Sequence, residues 1–327
     1  MKRLAFAFAC ALSGALFAAG AHAQTQWDLP TGYAASSFQT ENVQQFATEV
    51  AQATGGKLKI VLHPNGSLYK ANEIKRAVQS GQTQAGEFIL SGAANENPLF
   101  GVDSIPFLAD SYPAAKRLSE ASRPAIDRLL ASQGMKLLFV SPWPGQSLYS
   151  IKPVETLADL KGTKMRAYNP ATSRIAQLAG AQPTTIQLAE LSQALATGTV
   201  ENFLTSSASG VEMKLYESVK HFYSVNAWLP KNAVVVNRKA FDALDKPTQD
   251  AVLKASAAAE ARGWATSERK NDEYLKELAA KGMKVAGPSE ALARELRKIG
   301  ATMTAEWLKQ AGAEGQAIID AYTRSAP

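Results

Sequence analysis

An arginine, Arg166, stands in the run Lys161-Gly162-Thr163-Lys164-Met165-Arg166-Ala167-Tyr168-Asn169-Pro170, at the C-terminal end of a segment that reads as a strand. Asn169 is an N-cap by type, and Pro170 suits the first helical position after it. Ligands of open α/β sheets gather at the carboxyl ends of strands, and a helix start adds free N–H donors with partial positive charge. A guanidinium placed there grips a carboxylate through two parallel hydrogen bonds. The same pattern also suits a surface arginine paired with an acidic residue, and spacing alone does not choose between the two.

Few other chemistries are open to this chain. Of its three histidines, His63 ends a strand before Pro64 and His221 opens the aromatic run His221-Phe222-Tyr223. Both suit packed or surface rings better than metal ligands. HExxH, G-x-S-x-G and P-loop patterns are absent from the sequence, so neither a metal nor a cofactor is expected, and an exported hydrolase is the weaker alternative. The one cysteine, Cys10, falls in an apolar run, Leu4 to Ala19, between Met1-Lys2-Arg3 and Ala21-His22-Ala23. That order is a secretory signal peptide with cleavage after Ala23, which places the product in the periplasm. Its removal leaves a chain with no thiol, hence no disulfide and no cysteine nucleophile. Past residue 23 no apolar stretch approaches the roughly 20 residues of a membrane span. The Lys+Arg count of 35 against 29 Asp+Glu is scattered without a basic stripe, so no nucleic-acid partner is expected.

The elements that must hold Arg166 alternate. Helices are expected over 41–54, 73–80, 111–133, 170–179 and 189–197, many of them closed by glycine, as at Gly55-Gly56, Gly81, Gly180 and Gly198. Strands are expected over 57–63, 82–90, 135–140, 163–168, 182–186, 200–204 and 232–237. This argues for α/β lobes with largely parallel sheets covered by helices. From Pro247 to Lys281 there is no further proline, and one helix of that length would be a rod of roughly 50 Å, long enough to cross two lobes. Gly263, mid-way, leaves room for a kink or for two abutting helices.

Taken together, GTKMRAYNP, the run Ala189-Glu190-Leu191-Ser192-Gln193-Ala194-Leu195-Ala196-Thr197-Gly198-Thr199-Val200-Glu201 and Lys214-Leu215-Tyr216-Glu217 resemble the DctP-type substrate-binding proteins of TRAP transporters. Also similar are Gly55-Gly56-Lys57-Leu58, Ile74-Lys75-Arg76-Ala77-Val78, Asp103-Ser104-Ile105-Pro106-Phe107-Leu108 and Val235-Val236-Asn237. The likeness runs through the whole chain after the signal peptide. It implies a two-lobe periplasmic-binding-protein-like α/β fold with a ligand cleft between the lobes and a long helix spanning both. The expected division is lobe I over 24–143 plus 232–272 and lobe II over 144–231 plus 273–327.

The resemblance also implies a function: capture of a small organic acid and delivery to the TRAP membrane permease subunits, without catalysis. The alternative is a binding protein of an ABC or tripartite tricarboxylate system. Arg166 matches the family's carboxylate-binding arginine, and Asn169 a helix start lining the same pocket. Thr205 falls where many relatives carry asparagine; with Ser206 and Ser207 it could still donate hydroxyls. Gln146 stands where some relatives have a second arginine, which suits a solute with one carboxylate and a neutral polar group. Glu87, Trp143, Leu188, Trp228 and Asn232 are further cleft candidates, with Tyr33 and Lys70 beside them. Glu87 would repel a second carboxylate and accept hydroxyls, as from a uronate-like acid. Trp143 and Trp228 would equally suit an aromatic 2-oxo or 2-hydroxy acid.

Overall fold

The computed structural model describes residues 24–325, so the expected signal peptide lies outside the described residues. The first lobe opens with β1 (Thr25–Pro30), α1 (Phe38–Ala53) and β2 (Leu58–His63), and β1 and β2 pair in parallel. It continues through α2 (Ile74–Gln79), β3 (Ala85–Ile89), α3 (Tyr112–Ser132) and β4 (Met135–Pro142). The second lobe follows with β5 (Ser147–Ser150), β6 (Lys164–Ala167), α4 (Pro170–Leu178), β7 (Gln182–Thr185), α5 (Leu191–Ala196), β8 (Asn202–Thr205), α6 (Ser207–Glu212) and β9 (His221–Tyr223). The chain then returns as β10 (Lys231–Asn237), α7 (Arg238–Asp242) and α8 (Lys246–Ala280), and finishes with β11 (Lys284–Ala286) and α9 (Glu290–Arg324).

The described strands form three sheets, and they are more mixed than expected from sequence: β1–β2 is parallel, β3-β10-β4 is antiparallel and the six-stranded sheet combines both. β10 inserts between β3 and β4 and runs antiparallel to both, because it enters the first lobe from the second. The second-lobe sheet, in the order β11-β9-β5-β8-β6-β7, is mixed: β6 lies parallel to β7 and β8, while β5 lies antiparallel to β8 and β9. The unbroken apolar run in β10 follows from its central place. Ala233 and Val235 face a core shared with α3, and Val234 and Val236 face one shared with α1 and α8. Alternate residues of a strand point to opposite faces, so a strand covered on both sides is apolar throughout.

Two extended segments cross between the lobes side by side. They are tied by Trp143 N–H donating to Pro230 O (2.9 Å), Gln146 N–H to Trp228 O (2.8 Å) and Ala227 N–H to Gln146 O (2.8 Å). A third crossing is α8, which packs on α1 and β4 in the first lobe and on α6 and β11 in the second. It is one continuous helix, with no kink at Gly263. The glycine serves close approach instead: a Cβ there would sit 2.5 Å from Ser141 Oγ and 3.1 Å from Asn42 Nδ2. The fourth crossing is α9. Leu292, Leu296, Ile299 and Met303 join the second-lobe core, whereas Trp307 and Ile318 join the first-lobe core against α3. Within 273–327, Leu278, Met283 and β11 also pack in the second lobe, so it is the later half of α9 that lies on the first. Gly312, at φ 58°, breaks its helical backbone on the first-lobe side.

One further tie links the lobes away from the crossings. Ser37, the N-cap of α1, makes no side-chain cap bond; the Phe38 N–H donates instead to Glu212 Oε1 (3.2 Å) at the end of α6 in the other lobe. Burial at this junction pushes the half-buried Glu212 carboxyl up to about 7; the Phe38 N–H and nearby Lys270 oppose the rise and Glu41 adds to it. Among the described residues no helix is long and apolar enough to cross a membrane.

Two predictions follow from these contacts. Gly263→Val is expected to lower stability by about 1–3 kcal/mol in urea unfolding, since overpacking against Ser141 outweighs any gain in helix propensity. For Glu212, the folded pKa lies above the unfolded one, so the stability it contributes is fully present below the ordinary carboxylate value and is lost as pH rises to about 7. Glu212→Gln, which keeps an amide oxygen for the Phe38 N–H, is expected to melt near wild type at pH 5 and about 2–4 °C above it at pH 8. An identical difference at the two pH values would contradict this.

Candidate functional site

Arg166 sits at the end of β6, 3% exposed. Its Nε donates to Ile186 O (2.9 Å), in the segment just after β7, and its guanidinium lies 5.1 Å from the centre of the Tyr168 ring. Among the described residues no carboxylate comes within ion-pair distance of it. Burial pulls its pKa down to about 10, with Tyr168, Tyr33 and Glu190 acting against that fall. It therefore remains cationic at any physiological pH. A buried cation without an anion is costly, and the cost is relieved by a bound carboxylate.

Local sequence explains why this arginine is held so firmly. Asn169 caps α4 as expected: its Oδ1 accepts from Thr172 N–H (2.8 Å), and Pro170 takes the first helical position. Asn169 Nδ2 then donates to Ser91 Oγ (2.9 Å), in the 3₁₀ turn Leu90–Ala93 that follows β3 in the opposite lobe.

Arg166 opens on a cavity of about 850 Å³ between the lobes, within the usual size for a small-molecule site. Facing it from the first lobe is Glu87, 1% exposed, on β3. Glu87 Oε2 accepts from Thr31 Oγ1 (2.5 Å) and Oε1 from Asn232 Nδ2 (2.9 Å). Burial raises its pKa and these two hydrogen bonds oppose the rise. The Asn232 amide is fixed in turn, because its Oδ1 accepts from both Tyr33 OH and Trp143 Nε1, each at 3.0 Å. With its donor neighbours engaged in this way, Glu87 offers the cavity an acceptor.

Of the residues singled out from sequence, Arg166, Asn169, Gln146, Thr205, Glu87, Trp143 and Leu188 line this cavity, and so do Tyr33 and Lys70. Trp228 does not. Its ring is fully buried in the second-lobe core with Leu148 and Leu204, because the crossing segment turns it inward while its carbonyl ties to Gln146. Ser206 and Ser207 are also set back: Ser206 caps α6 through Ser209 N–H (3.1 Å), and Ser207 Oγ donates to Asn271 Oδ1 (3.2 Å). Asn232 stands behind Glu87 and Trp143 and orients both. Gln146 has both ends engaged, its Nε2 donating to Pro144 O and its Oε1 accepting from Tyr168 OH, each at 3.2 Å.

Sequence reasoning missed Tyr168, Phe88 and Ser209 among the lining residues. Tyr168 was findable, since it lies between Arg166 and the cap Asn169. A second groove, about 1130 Å³, lies between α3, β4 and α8, but its arginines are already satisfied: Arg123 bonds Glu260 (2.9 Å) and Asp127 (3.3 Å), and Arg238 bonds Asp242 (2.8 Å). Among the described residues there is also no cluster of three potential metal ligands.

Residues 31–310 match the profile of the DctP family, described as bacterial extracellular solute-binding protein, family 7. The chain is a member of the DctP family. Two Bordetella pertussis extracytoplasmic solute receptors, each solved as binding pyroglutamic acid, share its fold at a TM-score of 0.91; one is 51% identical, covering 92% of this chain and 100% of that one, and the other 45% identical, covering 91% and 99%. A marine metagenome TRAP solute-binding protein specific for pyroglutamate is 44% identical at a TM-score of 0.91, over 92% of this chain and 99% of its own. The C4-dicarboxylate-binding periplasmic protein of Rhodobacter capsulatus is more distant, 28% identical over 273 residues, which is 80% of this chain and 76% of the relative.

Among the described residues, Arg166 is the one buried cation without an ion-pair partner, and it stands at a strand end facing the cavity. Arg166→Ala is expected to weaken binding of a carboxylate solute by about a hundredfold or more in calorimetry. Arg166→Lys should recover only part of the loss, because an ammonium cannot present a planar fork. Unchanged affinity in the alanine variant would remove Arg166 from the site.

Proposed function

We propose that this protein is the periplasmic receptor of a TRAP transporter, that it captures pyroglutamate, and that it delivers this solute to the membrane permease subunits. The observation that carries the reading is the pairing of opposites across one cavity: an unpartnered buried guanidinium on the second lobe and an acceptor carboxylate on the first. Pyroglutamate is a five-membered lactam with a single carboxylate and a single N–H donor, and those two groups answer Arg166 and Glu87 respectively. A dicarboxylate would set its second charge against Glu87, which disfavours it. Relatives between 44% and 51% identical that bind this same acid support the assignment.

Of the solutes expected from sequence, a uronate-like acid would still meet Arg166 and Glu87, whereas an aromatic acid loses one support. Trp228 is not in the cavity wall, and the Trp143 Nε1 is taken by Asn232, so stacking of a solute ring between the two indoles is not on offer. Asn169 and Thr205 are left to meet the lactam carbonyl, and Tyr33, Phe88 and Trp143 to cover the ring. Capture proceeds by lobe closure, in which solute favours the closed state by touching both lobes. Family membership sets this reading above an ABC or tripartite tricarboxylate receptor. Export follows from the expected cleavage after Ala23, and the solute leaves chemically unchanged.

A thermal-shift screen of small organic acids, followed by calorimetry, tests the assignment, since a bound solute raises the melting temperature by mass action. L-pyroglutamate is expected to give the largest shift. The isosteric lactone acid, which lacks only the N–H, should bind about tenfold or more weakly, because Glu87 then loses its donor. A lactone that binds as tightly as the lactam, or no binding of pyroglutamate at all, would overturn the reading.

A further inference from the structure

We infer that the hydrogen bond between Ser91 and Asn169 is a latch that makes closure of the lobes conditional on a solute seated between Glu87 and Arg166. The inference rests on the reading that these two charged groups hold opposite ends of one solute. Glu87 lies on β3, and Ser91 lies in the 3₁₀ turn that directly continues that strand. Arg166 lies on β6, and Asn169 caps the helix that directly continues it. Each lobe thus carries one recognition group and one latch group on a single rigid strand-to-turn unit. Drawing Glu87 and Arg166 onto the two ends of a solute necessarily brings Ser91 and Asn169 together.

The latch geometry is well defined. Asn169 Nδ2 donates to Ser91 Oγ at 2.9 Å, and both residues are buried. The Asn169 amide cannot rotate to escape, because its Oδ1 is held by Thr172 through the backbone N–H at 2.8 Å and the hydroxyl at 2.7 Å. In the closed form, loss of the Ser91 hydroxyl would strand a buried donor, and a buried donor without a partner is penalised. In the open form water can satisfy both groups, so the bond adds nothing there. Its whole effect falls on the closed, solute-bound state. Ser91 is therefore a positioning residue: it is absent from the cavity wall and acts through Asn169.

The test compares wild type with Ser91→Ala, using L-pyroglutamate as the probe in calorimetry and stopped-flow fluorescence. If wild type does not bind it, the first carboxylate that raises the wild-type melting temperature in the screen is used instead; failure of wild type with pyroglutamate counts against the proposed solute, and failure of the variant comparison against the latch. Ser91→Ala is expected to bind about tenfold more weakly, with the loss carried by faster dissociation and little change in association rate. The melting temperature of solute-free protein should match wild type, which a merely structural role would not allow. Asn169→Ser retains a capping oxygen for Thr172 and loses the amide donor. Combined with Ser91→Ala it should cost less than the sum of the two single losses. Wild-type affinity in Ser91→Ala, or strictly additive losses, would overturn the latch.

Discussion

The organising constraint in this molecule is a guanidinium removed from water and left without an anion. Arg166 is anchored by a single bond from Nε to a backbone carbonyl and braced by the Tyr168 ring, which fixes its direction without neutralising it. Among the described residues the other buried cations are closed by carboxylates: Lys231 meets Asp103 at 3.2 Å with both side chains inside the fold, and Lys75 meets Glu96. The contrast separates a structural ion pair from a cation left open to the cavity. Dehydration of the site strengthens any ion pair formed there, provided its remaining donors and acceptors are met.

The surrounding architecture exists to hold that group opposite Glu87. A strand ending in a capped helix gives Arg166 a rigid mount, and a central strand covered on both faces gives Glu87 another through β10. Around Glu87 the polarity of each neighbour is dictated by the next. Tyr33 and Trp143 are donors, so Asn232 must present its oxygen to them and its amino group to Glu87. The result is a chain of hydrogen bonds with one consistent direction, ending on an acceptor. Replacing Asn232 by aspartate would reverse the last link and set two carboxylates against each other.

Much of this was legible in the sequence, because glycine and proline punctuate it. Gly55-Gly56, Gly81, Gly180 and Gly198 all take positive φ at the ends of expected helices, and Asn169-Pro170 starts α4 as its residue types require. The cation at the strand end was readable for the same reason. Short strands were not: β5, β9 and β11 have three or four residues each, and are strands only because neighbours pair with them. Strand direction was equally hidden, since antiparallel β10 is a consequence of the chain changing lobes. Gly263 was ambiguous, because a glycine chosen for close packing looks the same in sequence as one chosen for a bend. Trp228 and Trp143 lie on crossing segments without regular alternation, so pattern could not tell which faced inward. The spacing of Leu292, Leu296, Ile299 and Met303 could have revealed α9, but not that its later half covers the other lobe.

That returning helix has a consequence for how the molecule moves. With two extended segments and two long helices joining the halves, sliding or twisting of one half past the other would have to deform a continuous rod, whereas rotation about an axis close to the paired segments would not. Any opening would thereby be confined to something near a single coordinate, like a clasp on a pin. A protein with one soft direction would spend little entropy in choosing how to shut, so the modest number of contacts offered by a small solute would be enough to decide its state.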